Sequence, residues 1–242
     1  MEKVVLNVNN LGKSYNKGKT FTVSDVNFTV NEGQIVGLVG RNGVGKSTII
    51  KSITGILPFE KGEAIIAGYN IEKDQIMAKK NLGYVPDVSN AFDKMTGMEY
   101  LNFVADIFKV DKAARERKIG YFQKFFPLGE SIHKLIGSYS HGMRQKVSIM
   151  ASLLSDPKLW ILDEPITGLD PQTANCLIEF MKQYAKSGRA VLFSSHNLDV
   201  VQKVCDKIVI INNGKVVSDI NVQEFKKTSN ISLGKYFMEK SR

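Results

Sequence analysis

Apolar and polar residues alternate along the first part of the chain, where the apolar positions are Val4, Leu6 and Val8 and later Val26, Phe28 and Val30. A period of two residues is typical of strands that bury one face and expose the other. We therefore expect an antiparallel sheet between about residues 4 and 30.

A strand followed by a helix is predicted next. Residues 34–39 (QIVGLV) form a short apolar run, and a glycine-rich segment separates them from a stretch with helical periodicity. The apolar residues of that stretch are Ile49, Ile50, Ile53, Ile56 and Leu57. Because Pro58 follows directly, we expect the helix to end there.

The middle of the chain, from about residue 89 to residue 156, changes to a helical pattern. Its apolar positions at helical spacing are Leu101, Val104, Ala105 and Phe108, then Met143, Val147, Met150, Ala151 and Leu154. This pattern predicts a helical insert.

Strand-like runs return at residues 159–162, 191–193 and 208–211, and a helical stretch at 171–186 separates the first two. Strands that alternate with helices favour a parallel sheet. Asn213 and Gly214 predict a two-residue hairpin turn, because both of its positions need positive φ. The fold class is therefore α/β, with a mixed parallel sheet, an N-terminal antiparallel sheet and a helical insert.

Composition and charge narrow the range of functions only partly. The 242 residues are 43% apolar and 24% charged, which is typical of a globular protein with a core rather than a disordered or collagen-like chain. No apolar run approaches the roughly 18 residues of a membrane span, and the start lacks a signal-peptide pattern, so we expect a cytoplasmic protein. The net charge of +9 leaves nucleic acid, an anionic membrane surface and a phosphate ligand all open.

Residues 40–47 (GRNGVGKS) fit the phosphate-binding pattern G-x-x-x-x-G-K-[S/T]. The glycines let backbone N–H groups face the β and γ phosphates at the start of the following helix. Lys46 would neutralise phosphate charge, and Ser47 would offer its hydroxyl to Mg²⁺. The nucleotide-binding residues predicted from this segment are Gly40, Arg41, Asn42, Gly43, Val44, Gly45, Lys46, Ser47 and Thr48.

Two carboxylates, Asp163 and Glu164, follow the apolar run LWIL. Alone, such a pair is best interpreted as surface residues at the end of a strand. Combined with a phosphate loop, it predicts that Asp163 holds Mg²⁺ through water and that Glu164 polarises the attacking water. The two motifs together predict a site of nucleoside triphosphate hydrolysis.

Residues 139–145 (YSHGMRQ) resemble the LSGGQ signature of the ATP-binding cassette (ABC) family, and the resemblance extends over nearly the whole chain. It implies a P-loop ATP-binding subunit of an ABC transporter that needs ATP and Mg²⁺. In that family the signature binds the γ-phosphate held by the opposing subunit, which assigns Ser140, Gly142 and Met143 to nucleotide binding. Ser140 is also expected to cap the helix that follows it.

The resemblance assigns further residues in the order that the family has them. Tyr15 stands where an aromatic ring stacks on adenine, and residues 167–170 (TGLD) match the loop that crosses the dimer interface. His196 matches the histidine that contacts the γ-phosphate. Asp87 stands where a Gln usually contacts Mg²⁺ and the attacking water. The implied catalytic set is therefore Glu164, His196 and Asp87, and the implied metal set is Ser47, Asp87 and Asp163.

Two departures from the family pattern are the acidic Asp87 and His141, which replaces the first signature glycine. Asp87 adds negative charge beside the phosphates, and His141 adds bulk near the γ-phosphate contact. The Gly-Met-x-Gln signature, the acidic residue and the short tail resemble the branch that serves exporters of antibiotics, peptides or lipid-linked polymers.

The resemblance also implies how the chain is organised and with what it assembles. One ABC ATP-binding domain, residues 1–242, would consist of a nucleotide-binding core (1–88 and 157–220), a helical subdomain (89–156) and a C-terminal tail (221–242). One phosphate loop and one signature cannot complete a shared site, which implies a homodimer or heterodimer closing over two ATP molecules. An integral membrane permease would dock near Asp87 and the aromatic-rich insert, at the cytoplasmic face of the membrane.

Two other classes of protein would also use a phosphate loop. A soluble ABC-type ATPase acting on nucleic acid or ribosomes would explain the positive charge, but such proteins carry two cassettes or a long coiled coil before the signature, and this sequence has neither. A metabolite kinase would use the phosphate loop without needing residues 139–145. We therefore expect no nucleic-acid partner.

Overall fold

The computed structural model describes residues 3–16, 19–87 and 92–240, and these residues form ten strands and nine α-helices. The strands are β1 Val4–Ser14, β2 Phe21–Asn31, β3 Ile35–Val39, β4 Lys61–Ile66, β5 Tyr69–Asn70, β6 Leu82–Val85, β7 Leu159–Leu162, β8 Ala190–Ser195, β9 Lys207–Asn212 and β10 Lys215–Asn221. The helices are α1 Lys46–Ile53, α2 Gln75–Lys80, α3 Gly97–Ile107, α4 Lys112–Phe122, α5 His141–Leu153, α6 Pro171–Lys186, α7 Leu198–Val204, α8 Val222–Thr228 and α9 Leu233–Lys240.

The strands form two sheets, as the sequence predicts. The smaller sheet has the order β2-β1-β4-β5 with every pair antiparallel. The larger has the order β10-β9-β3-β8-β7-β6, in which all neighbours are parallel except β9 and β10. Asn213 and Gly214 join that last pair with φ angles of 47° and 73°, which confirms the predicted hairpin turn.

Strand β3 lies in the middle of the larger sheet and is buried on both faces. Ile35 and Val39 pack on the side of the helical insert, whereas Val36 and Leu38 pack on the side of the small sheet and α1. A strand covered on both faces has no solvent-facing positions, which explains its continuous apolar sequence. Its carboxyl end delivers the chain directly into the phosphate loop.

Helix α1 is shorter than the sequence predicts, because it ends at Ile53 rather than at Pro58. Gly55 has a φ of +69°, a left-handed conformation that ends a helix and is favourable for glycine. The backbone amides of the next two residues turn back to the carbonyl of Lys51, and Ile56 is 57% exposed. The apolar spacing continues past the end of the helix, so the prediction that the helix extends to Pro58 was wrong.

The insert contains helices α3, α4 and α5 and two short 3₁₀ helices, and it packs against the larger sheet through aromatic rings. Phe180 of α6 lies between them, with its ring centroid 5.4 Å from Phe126 and 5.8 Å from Trp160. The predicted boundary between core and insert, at residues 88 and 89, lies outside the described residues. The division into subdomains stays a prediction.

Helices α8 and α9 follow the last strand and cover one end of the larger sheet. Val222, Leu233 and Phe237 are buried in the same apolar cluster as the sheet, and the Ser218 and Tyr236 hydroxyl oxygens lie 2.9 Å apart. Within residues 3–16, 19–87 and 92–240, no helix is both long and apolar enough to span a bilayer.

Candidate functional site

The phosphate loop connects the carboxyl end of β3 to the amino end of α1. Gly45, with a φ of 110°, precedes the first helical residue, Lys46. The hairpin turn between β9 and β10 supports the loop from behind, because the Gly214 amide donates to the Val44 carbonyl at 3.0 Å. The Gly214 carbonyl of the same turn accepts a hydrogen bond from the Ser24 amide of β2 at 2.9 Å. Backbone hydrogen bonds therefore connect β2 to the turn and the turn to the phosphate loop.

The ammonium of Lys46 is buried at the centre of this region. It donates to the carbonyl oxygens of Gly40 at 2.8 Å and Arg41 at 3.2 Å, and it lies 3.3 Å from Glu164 Oε1. The side chain of Lys46 is 5% exposed and that of Glu164 is 15% exposed. The cation of the phosphate loop and the carboxylate after β7 therefore form a largely buried ion pair.

The two carboxylates after β7 have different surroundings. Asp163 is 1% exposed, and its Oδ1 accepts hydrogen bonds from Ser47 Oγ at 3.2 Å and from Ser194 Oγ at 2.7 Å. Glu164 has a φ of 48°, and its Oε2 lies 3.0 Å from Nδ1 of His196. Asp163 thus faces the phosphate-loop serine, while Glu164 is held between Lys46 and His196.

Asp87, at the carboxyl end of β6, adds a third carboxylate to the same side of the sheet. Burial, and then the negative charges of Asp163 and Glu164, raise the pKa of Asp87, while His141 and Lys51 act in the opposite direction. Burial, and then the negative charges of Asp163 and Asp87, raise the pKa of Tyr84. The negative charges of Asp163 and Glu164 therefore oppose the ionisation of Asp87.

A cavity of about 370 Å³ lies beside these groups, and of the three carboxylates Asp87 and Glu164 line it, whereas Asp163 does not. Its lining residues are Thr22, Asn42, Gly43, Gly45, Lys46, Ser47, Thr48, Asp87, Glu164, Thr167 and His196. Most of the predicted nucleotide and catalytic residues are thus brought together around one opening.

Some predicted site residues lie outside the cavity lining. Gly40 and Arg41 act through their carbonyls on Lys46, as described above, and Val44 binds the hairpin turn. Tyr15 is 65% exposed at the end of β1, and its hydroxyl lies 3.4 Å from Thr48 Oγ1. Its ring is therefore beside the cavity and open to solvent.

The signature-like residues Ser140, Gly142 and Met143 are likewise not in the cavity lining of their own chain. Ser140 caps α5 as predicted, because its Oγ accepts the Met143 amide at 3.3 Å. His141 Nε2 lies 3.2 Å from the Thr167 carbonyl oxygen, which ties the start of α5 to the loop after Glu164.

Two residues at the site received no role from the sequence. Thr22 of β2 lines the cavity, and Ser194 contacts both acidic residues after β7. Thr22 gave no sequence signal. The sequence does carry a signal for Ser194, because a serine within the apolar strand Ala190–Ser195 is expected to be buried and to need a hydrogen-bond partner there.

The donor set suits a small, hard cation. Ser47, Asp87 and Asp163 all offer oxygen atoms, which Mg²⁺ prefers. Burial first, and then the negative charges of Asp163 and Glu164, raise the pKa of Asp87, and a bound divalent cation would favour its charged form. The residues present therefore fit Mg²⁺.

The chain as a whole is similar to known proteins. A family model described as "ABC transporter" matches residues 23–167. The linearmycin resistance ATP-binding protein LnrL of Bacillus subtilis is 33% identical over 214 residues, covering 88% of this chain and 68% of the relative. The ABC-type transporter ATP-binding protein EcsA of the same organism is 34% identical over 212 residues, covering 88% of this chain and 85% of the relative.

A solved structure described as an ATP-binding subunit of an ABC transporter superposes with a TM-score of 0.91 at 30% sequence identity. The match covers 98% of this chain and 100% of that one. The expected fold, with its two sheets and its helices, is therefore confirmed.

Proposed function

We propose, from the premise that this chain belongs to the ABC transporter family of ATP-binding proteins, that it powers export through a membrane permease. The chain is an ATP-binding subunit and an ATPase of that family. The direction of transport is the proposed part. It is supported by the similarity to a protein named for linearmycin resistance, since removal of a toxic compound from the cell is one way to resist it.

The observation that carries the hydrolytic mechanism is the position of Glu164, whose two carboxylate oxygens contact Lys46 and His196 at the edge of the cavity. Glu164 accepts the proton of the attacking water, which requires a carboxylate within reach of that water. His196 orients Glu164 through Oε2, and Lys46 neutralises the β and γ phosphates. Ser47, Asp163 and Asp87 hold Mg²⁺, which when bound supplies further neutralisation of phosphate charge.

Two copies of the subunit are proposed to complete each site. Support comes from Ser140, Gly142 and Met143, which carry the anion-binding start of α5 and yet do not line the cavity of their own chain. In a head-to-tail dimer they cover the γ-phosphate bound to the opposing chain. The partner is a second copy or a related ATP-binding subunit.

Dimer formation has a direct test in Glu164→Gln, which keeps the shape of the site but replaces the proton acceptor by an amide. With ATP present, light scattering should detect a dimer that accumulates because it cannot hydrolyse its nucleotide. The double variant Lys46→Ala, Glu164→Gln is the control and should stay monomeric. A Glu164→Gln variant that stays monomeric at high protein and ATP concentrations would contradict the shared site.

The permease is proposed to dock where α3 meets β6. A second cavity of about 360 Å³ lies there, and its lining includes Tyr84, Tyr100 and Phe108. Phe103 and Ile107 of α3 are 43% and 60% exposed, so apolar surface is available beside it. Strand β6 connects this cavity to Asp87, which gives docking a short route to the ATP site. Docking here holds the subunit at the cytoplasmic face of the membrane.

Export is tested on the complex of this chain with the membrane protein that co-purifies with it, reconstituted in liposomes with the ATP-binding subunit outside. Linearmycin serves as the test cargo because of the similarity to LnrL, and Mg-ATP should drive it into the lumen, away from the side that holds ATP. The same complex with Lys46→Ala is the control and should move none. Movement out of preloaded liposomes on addition of external Mg-ATP would refute export.

A further inference from the structure

Ser194 is fully buried near the end of β8 and contacts the Asp163 carboxylate and the Glu164 backbone after β7. The Glu164 backbone N–H donates to Ser194 Oγ at 2.8 Å, and Ser194 Oγ lies 2.7 Å from Asp163 Oδ1. A backbone amide can only donate, so the serine oxygen is the acceptor in the first bond. The hydroxyl hydrogen is then used in the second bond, with the Asp163 carboxylate as acceptor.

The backbone of Glu164 needs such support. Its φ of 48° lies in the left-handed region, which is unfavourable for a residue with a side chain unless surrounding contacts hold it. Ser194 fixes the amide of Glu164, and the Thr167 amide donates to the Glu164 carbonyl at 3.2 Å. These two bonds hold the peptide groups on both sides of the Glu164 Cα.

We propose that Ser194 is a positioning residue for ATP hydrolysis, whose single hydroxyl orients the Asp163 carboxylate toward Ser47 and holds the backbone that aims Glu164. The inference rests on the proposed roles of Asp163 and Glu164. It adds a residue that does not line the cavity and that acts only through its two acidic neighbours.

The adjacent Ser195 provides a matched control. It belongs to the same strand, is 5% exposed, and its Oγ accepts a hydrogen bond from the Asn197 amide at 3.0 Å. Successive side chains in a strand point to opposite faces, and Ser195 has no described hydrogen bond to either acidic residue. Ser195→Ala therefore removes a buried serine hydroxyl from β8 without touching the two carboxylates.

The experiment compares wild type, Ser194→Ala, Ser194→Thr and Ser195→Ala in three measurements. These are the melting temperature, the steady-state kcat and KM for ATP, and the Mg²⁺ concentration that half-saturates binding of a fluorescent ATP analogue. Hydrogen bonds to charged groups are the stronger class, so Ser194→Ala should lower kcat about 10- to 100-fold. It should also raise the Mg²⁺ midpoint, while binding of the analogue without Mg²⁺ changes less than about 2-fold.

The two control variants separate positioning from simple stability. Ser194→Thr keeps the hydroxyl and should recover most of the lost kcat, whereas Ser195→Ala should keep the wild-type kcat and Mg²⁺ midpoint. If Ser194→Ala does not fold, Ser194→Cys replaces it, because the thiol keeps the size but is a weak hydrogen-bond donor. Ser194→Cys should then show the same two losses.

The inference is overturned if the hydroxyl-lacking variant keeps kcat within about 2-fold of wild type, or if Ser195→Ala loses as much. A drop in melting temperature with an unchanged Mg²⁺ midpoint would also overturn it, because that is the result of a structural role alone. Failure of the proposed function gives a different result, namely an ATPase rate that survives Lys46→Ala in the wild-type Ser194 background.

Discussion

Replacing Glu164 by Gln removes the negative partner of Lys46, which lies 3.3 Å from Glu164 Oε1 in a largely buried pair. ATP must draw the ammonium toward its phosphates, so the carboxylate competes with the nucleotide for the same cation. The carboxylate also repels the phosphates directly. Both effects disappear in Glu164→Gln, and we expect this variant to bind ATP more tightly than wild type.

The size of the effect follows from the distance and the burial. Two unit charges 3.3 Å apart attract by about 5 kcal/mol at an effective dielectric constant of about 20. Most of this attraction is offset by the cost of removing both groups from water, and Lys46 keeps its bonds to Gly40 and Arg41 in either case. We therefore expect the free energy of ATP binding to become more favourable by about 1–2 kcal/mol in Glu164→Gln, which corresponds to a Kd for ATP about 5- to 30-fold lower.

The assay is calorimetric titration of ATP in Mg²⁺-free buffer, where turnover does not interfere. Glu179→Gln is the control, because Glu179 pairs with Lys182 on the exposed face of α6 and its removal changes net charge by the same amount. That control should leave the Kd unchanged. An equal or higher Kd for Glu164→Gln would refute the idea that Glu164 competes with ATP for Lys46.

Substitutions at three further positions test separate parts of the site. Lys46→Ala should abolish ATP hydrolysis, because Lys46 is the only side-chain cation that the phosphate loop places on the β and γ phosphates. A normal rate in the folded variant would refute that assignment. Asp87→Asn should raise the melting temperature at neutral pH but not at acidic pH. Because the pKa of Asp87 is raised in the folded state, the ionised carboxylate destabilises the fold at neutral pH, whereas at acidic pH the carboxyl is protonated and this cost is absent. An equal rise in melting temperature at both pH values would contradict this. Asp87→Asn should also reduce the permease's stimulation of the ATPase more than the rate of the isolated subunit, and full stimulation would contradict the docking position. His141→Ala should slow hydrolysis by up to about 5-fold, because the hydrogen bond to the Thr167 carbonyl is lost. His141→Gln should keep more of the rate, and equal rates in wild type and both variants would contradict this role of His141.

The parts of the fold that depend on contiguous sequence could be predicted. The phosphate loop is one uninterrupted segment between a buried strand and a helix, so its residues specify both shape and chemistry. The hairpin turn at Asn213–Gly214 is likewise local, because both residues favour positive φ. Even so, the end of α1 was mispredicted, since a positive φ at Gly55 outweighed the apolar spacing that continues to Leu57.

The contacts between distant segments could not be predicted from one sequence. Ser194 reaches Asp163 and Glu164 only because β7 pairs with β8 in a register that sets Leu162 beside Phe193. Lys46 reaches Glu164 because β8 alone separates β3 from β7 in the sheet. Strand order and register are properties of the whole sheet, and no local pattern states them. The assigned roles of the site residues stay predictions.

The support that the β9–β10 turn gives to the phosphate loop limits where the protein can be lengthened. Exposed turns between strands are usually good places for inserted tags or fluorescent reporters. Here an added Cβ on Gly214 would lie 2.1 Å from the Thr22 carbonyl oxygen, so an inserted peptide would push against the nucleotide cavity. At Gly188, between α6 and β8, an added Cβ would meet no described atom within 4 Å. A reporter for following this subunit in cells therefore belongs near Gly188, and the turn at Gly214 should be left at its natural length.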